Sequence, residues 1–278
     1  MNPVICVTEF TEQTRAAATA AFAMARRWGE RMLLVRSVDE REQFPLRARQ
    51  RLVEDDRPRL AREVAELQAA GIPCEGHVIL GPPEESIASF ARRADARLVV
   101  LGCGTLSRLD AWVLGCTGEQ IAATTHVPLL LIRSATPFAT WAAGEKPLRI
   151  YAFVDPRDHS PTIARALDEW RAIADERVEF HDAPLDAIHH PHEAARRCVA
   201  DAAAADADLV VIGTHPRPAL PLLHHTTLVD FLLREAPLSV LVVPDTCVAH
   251  PVETAPSRED SRGDSSVPQK ASNVGRNS

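Results

Sequence analysis

The chain has 278 residues, 46% hydrophobic and 25% charged, enough to bury two cores of ordinary domain size in water. Its formal net charge of −7 excludes a partner gripped chiefly through nucleic-acid phosphates, and no run approaches the ~20 apolar residues that cross a bilayer. The opening MNPVICVTEF has no basic segment before its apolar run, so it reads as a first strand and not a secretory signal; six cysteines without a CxxC pair point to a reducing, cytoplasmic setting.

Residues 4–7 form the first predicted strand. Over 11–28, Ala17, Ala20, Ala21, Met24 and Trp28 recur at helical spacing, with Arg26 and Arg27 in the last turn and Gly29 as a stop. MLLVRSV at 32–38 is a second strand, and 39–56 is charged and irregular. Pro58 suits the first turn of a helix running to residue 70. Gly71-Ile72-Pro73 turns the chain into a third strand at 74–80. Gly81-Pro82-Pro83 ends that strand and opens a helix with Glu84 and Glu85 in its first turn, where the helix dipole favours acids. A strand at 98–101, a helix at 112–124 and a strand at 128–133 complete the alternation of a doubly wound parallel α/β sheet.

Residues 134–147, SATPFATWAAGEKP, have no clear period and read as a linker. RIYAFVD at 149–155 then restarts the pattern, followed by a helix over 160–174, a strand at 177–181 and a helix over 191–205. What comes next repeats an earlier stretch. Residues 209–244 align without a gap to 98–133 at an offset of 111, from Leu98 to Leu209. Each copy has an apolar run ending in glycine (Gly102 or Gly213), a polar loop, a helical stretch and a second apolar run. That is a parallel crossover unit used twice. Thr8 lies 94 residues before Gly102, whereas Asp155 lies only 58 before Gly213, a deficit of 36. One strand–helix crossover takes roughly 30 residues, so the second half lacks one unit, at its second or third strand. The expected organisation is a five-stranded domain at 1–136, a shortened one at 147–246, and a disordered Ser-, Pro-, Asp- and Arg-rich tail at 247–278.

The closing runs LLLIR and VLVVP are apolar sheet edges, which invite pairing. The expectation is an internal pseudo-dimer with strand 128–133 beside 239–243, the two sheets back to back and separate. Further homodimerisation stays open.

With these loops located, the chain resembles the universal stress protein family over 3–133 and, in reduced form, over 149–244. The nucleotide-binding branch of that family carries G-x2-G-x9-G-[ST] after strand four, an Asp ending strand one and a Gly-x-Pro-like turn after strand three. Here Gly102 and Gly115 hold the outer glycine positions, and Thr105 stands at the middle one with Gly104 beside it. Cys116 takes the hydroxyl position, with Thr117 following, while Thr8 stands where the Asp belongs and Gly81 matches the turn. In the second half Asp155 keeps the acid, Gly213 the first glycine and Thr227 the hydroxyl; Thr226 replaces the last glycine, and Pro216 has no N–H to give.

The resemblance implies a non-catalytic regulatory or protective role in stress response. It also implies ATP or a related adenine nucleotide in the N-terminal half, held by glycine-loop N–H groups and a helix N-terminus. Two other readings stand beside it: a protein-interaction scaffold whose loops are relics, and a weak nucleotide hydrolase. The last is disfavoured because the loop has no Lys and no carboxylate placed to activate water. No metal is expected: His189, His190 and His192, with His181 and Asp182 upstream, read as an exposed His-rich loop.

Overall fold

Short runs of Val, Ile and Leu bounded by turn residues become strands here because both of their faces find cover. The structure, a computed structural model, describes residues 2–38, 46–102, 126–154, 178–184, 191–214 and 228–244, with single positions at 164 and 168. The first half holds β1 (Val4–Val7), α1 (Glu12–Trp28), β2 (Met32–Val38), α2 (Leu46–Ala69), β3 (Glu75–Leu80), α3 (Pro83–Arg93), β4 (Leu98–Gly102) and β5 (Leu129–Ile132). A short helix, α4 (Thr136–Ala142), leads to β6 (Leu148–Val154), β7 (Val178–Pro184), α5 (Pro191–Ala204), β8 (Leu209–Thr214), α6 (Leu228–Glu235) and β9 (Ser239–Pro244).

Alternate residues of the inner strands enter opposite cores. Val4, Cys6, Leu98 and Val100 face the layer of α1, α2 and α4. Ile5, Val7, Val99 and Leu101 join the other cluster, which receives Ile87 of α3, Ala195 of α5 and Leu232 of α6. Both clusters run without a break from the first half into the second.

The strands form one sheet in the order β3-β2-β1-β4-β5-β9-β8-β6-β7. Every neighbouring pair is parallel except β5 and β9. Those two run antiparallel, with Leu129 opposite Val242, Leu130 opposite Leu241 and Leu131 opposite Val240. The expectation of two separate sheets is thus corrected. Two apolar edges that satisfy each other's backbone N–H and C=O groups become one continuous sheet. The order still mirrors itself about this seam. β7 lies beside β6 as β2 lies beside β1, so among the described residues the position without a strand in the second half is the outer one that β3 fills in the first. Because the seam is antiparallel, the carboxyl ends of β1 and β4 emerge at one rim of the sheet and those of β6 and β8 at the opposite rim.

Two helices differ from their sequence reading. α2 begins at Leu46, not at Pro58, which stands inside it. Pro58 is exposed, so the helical bond it cannot make is lost on the water side, where solvent can satisfy the freed carbonyl. The stretch read as a linker contains α4, whose Phe138 and Trp141 are buried against α1 and β6. At seven residues it is too short to display a period. By contrast α1 ends as its sequence suggests. Gly29 takes the left-handed conformation at φ 68°, and the N–H of Glu30 reaches back to the Ala25 carbonyl at 2.8 Å. The predicted helices over 112–124 and 160–174, apart from positions 164 and 168, and the tail from 247 lie outside the described residues.

Candidate functional site at the β1–β4 rim

In an open parallel sheet the ligand crevice lies beyond the carboxyl ends of the strands where their order reverses. In the first half that point falls between β1 and β4. Val7 pairs with Leu101, so the next positions, Thr8 and Gly102, stand side by side at the rim. Gly102 is required there by packing. A Cβ would sit 2.5 Å from the Gln13 carbonyl oxygen and 3.2 Å from Ala17 Cβ, so glycine lets the first turn of α1 cross the end of β4.

Thr8, where the family pattern has an acid, is buried and fully engaged. Its hydroxyl donates to Glu63 Oε2 at 2.7 Å and accepts from the Phe10 N–H at 2.9 Å. Glu63 comes from α2 and is 8% exposed. Burial raises its carboxyl above the usual carboxylate range; the Thr8 hydrogen bond and the Arg15 charge pull it down, Glu66 pushes it up, and Arg36 pulls it down again. The reading of the sequence missed Glu63. A signal was present, because Glu63 shares the inward stripe of α2 with buried Leu60 and Leu67 at helical spacing.

Gly81 stands at the same rim but two strands out from β1. It adopts φ 120°, and its N–H bonds to the Val38 carbonyl at 3.0 Å. The hydroxyl of Ser37 donates to the Gly81 carbonyl at 3.2 Å and lies 2.9 Å from Ser86 Oγ, which ties the turn after β3 to the end of β2. Gly213 stands next to the last residue of β8, at the opposite rim, opposite Val243 of β9. Gly104, Thr105, Gly115, Cys116, Thr117, Asp155, Thr226 and Thr227 lie outside the described residues, as do His189 and His190.

Next to Thr8, a groove of about 320 Å³ opens between the start of α1 and the middle of α2. Phe10, at φ 61°, forms one wall. The guanidinium groups of Arg36 and Arg59 lie 5.2 and 4.3 Å from its ring centroid. Both arginines bind the largely buried Asp56, at 2.8 and 3.2 Å. Arg15 of α1 pairs with Glu66 of α2 across the groove.

Cys6, Cys74 and Cys198 are buried free thiols. Burial raises all three, Cys198 to about 12, so each stays a neutral, unreactive thiol near pH 7. Among the described residues no group of three or more His, Cys, Asp or Glu could hold a metal ion, and no helix is long and apolar enough to cross a membrane. The His192 ring meets Phe231 edge-on at 4.4 Å.

The model of the Universal stress protein family matches residues 1–133. Among solved structures, a universal stress protein from Archaeoglobus fulgidus is 14% identical, with a TM-score of 0.59 over 88% of this chain and 98% of its own. A functionally unknown protein from Pseudomonas aeruginosa is 17% identical, with a TM-score of 0.51 over 88% of this chain and 92% of its own. At these identities the likeness speaks to the fold, and it extends across both halves of the sheet. No curated protein matches the chain.

Proposed function

For a chain that belongs to the universal stress protein family through residues 1–133, we propose a regulatory or protective role in stress response, exercised in the cytoplasm by binding and not by catalysis. In this reading the crevice above β1 and β4 takes ATP or a related adenine nucleotide. Gly102, Gly104, Thr105 and Gly115 offer backbone N–H groups to its phosphates, and Thr117 offers a hydroxyl. The observation that supports it is that Thr8 and Gly102 directly follow the last paired residues, Val7 and Leu101, at the reversal of strand order. The two halves act as an internal pseudo-dimer, open to further homodimerisation and without nucleic-acid or membrane partners.

Calorimetric titration of the full chain with ATP, together with mass spectrometry of ligand carried through purification, tests this. Saturable ATP binding that a Gly115→Arg variant abolishes is the expected result. Absence of both heat and carried ligand leaves the scaffold reading, which two observations favour. Packing against α1 accounts for Gly102 without any ligand. The rim position of the missing acid is closed by the Thr8–Glu63 hydrogen bond. A hydrolase would need ATP turnover that the same variant eliminates.

A further inference from the structure

The groove between α1 and α2 is lined by three arginines, Arg15, Arg59 and Arg62, and three glutamates, Glu12, Glu63 and Glu66. Four of these six are committed: Arg15 to Glu66, Arg59 to Asp56, and Glu63 to the Thr8 hydroxyl. Glu12 and Arg62, both exposed, have no ion-pair or hydrogen-bond partner among the described residues. One uncommitted anion and one uncommitted cation therefore face the same space. A simple anion entering it meets Glu12 and Glu66, and a simple cation meets three guanidinium groups. A molecule carrying both charges on one short frame satisfies both lone groups and adds no net charge to a balanced lining. The walls are prepared for it. Phe10 is pinned between α1 and α2 in a left-handed backbone conformation with two guanidinium groups on its ring, and Glu63, nine-tenths buried, is fixed at the margin. A volume of about 320 Å³ admits an amino acid or a dipeptide.

We propose that this groove binds a small zwitterion of the amino-acid class, its carboxylate on Arg62 and its ammonium on Glu12. The site lies on the α1–α2 side of the sheet and does not depend on nucleotide binding at the rim.

The test titrates the full chain by calorimetry with individual L-amino acids and with glycylglycine, using inorganic phosphate and putrescine as single-charge controls. Saturable binding by at least one zwitterion, with a Kd of ~1 mM or tighter, is expected. Arg62→Ala and Glu12→Gln should each weaken it tenfold or more while shifting the ligand-free melting temperature little, since both side chains are exposed and unpaired and Glu12→Gln gives up only its interaction with the α1 dipole. Gly115→Arg should leave it intact. The proposal is overturned if no zwitterion saturates, if phosphate or putrescine binds as well as the zwitterion does, or if both variants bind as the parent does.

Discussion

In the first half five strands run β3-β2-β1-β4-β5; in the second four run β7-β6-β8-β9, and the outer strand has no counterpart among the described residues. What the second half gave up is the least buried part of the first. β3 exposes Glu75 and Gly76, and Leu80 is 50% exposed, whereas β4 and β5 are buried almost throughout. The strands flanking the reversal of order and the seam survive in both halves. The strand with no described counterpart is thus the one whose side chains contribute least to the core.

Substitutions graded from the seam outward can break or sharpen this contrast. Leu130 is fully buried opposite Leu241, so Leu130→Asp should leave an unpaired charge in the core and unfold the chain, at a cost of about 4 kcal/mol or more. A circular-dichroism melt should show both halves lost together; a surviving second transition would mean that the halves stand alone. Phe138→Ala, in the helix that straps α1 to β6, should cost about 3–5 kcal/mol by urea denaturation. A loss below about 1 kcal/mol would return α4 to the status of a mere connector.

Gly102→Ala should lower stability by about 1–3 kcal/mol through the contact with the Gln13 carbonyl, whether or not nucleotide is present. A variant as stable as the parent would shift the reason for this glycine to a ligand. Thr8→Val probes the acid beneath the rim through its pH dependence. Burial holds the Glu63 pKa above its unfolded value, so its bound proton favours the folded chain below the unfolded pKa. That contribution fades as pH rises through the folded pKa. The Thr8 hydroxyl pulls this pKa down. Removing the hydroxyl should thus cost about 1–2 kcal/mol at pH 7 and less at pH 4, and equal losses at both pH values would remove Glu63 from the account. Smallest of all, Leu80→Asp at the outer edge should stay within about 0.5 kcal/mol of the parent.

The central strands and α1 were legible because each residue's burial is declared locally, by runs such as LVVLG and by the alanine stripe of α1, whereas the first half of α2 was not. The likeness of 98–133 and 209–244 was legible for the same reason, and β4 pairs with β5 in the first half as β8 pairs with β9 in the second. The missing elements depend on distant partners. α4 is a helix because two aromatic residues find α1 and β6, and nothing within seven residues announces that. The fusion into one sheet was within reach of the paired apolar edges, yet it requires knowing that no other element covers them. Position 8 looked like a lost acid; Glu63, 55 residues away, stands beside it, a relation that only the folding of α2 over β1 creates.

The antiparallel seam turns the two reversals of strand order away from each other. The carboxyl ends of β1 and β4 point to one edge of the slab, and those of β6 and β8 to the other. The two ends are joined through the spine of Leu129, Leu130 and Leu131 with the residues facing them, through α4, and through the two cores that run across the seam.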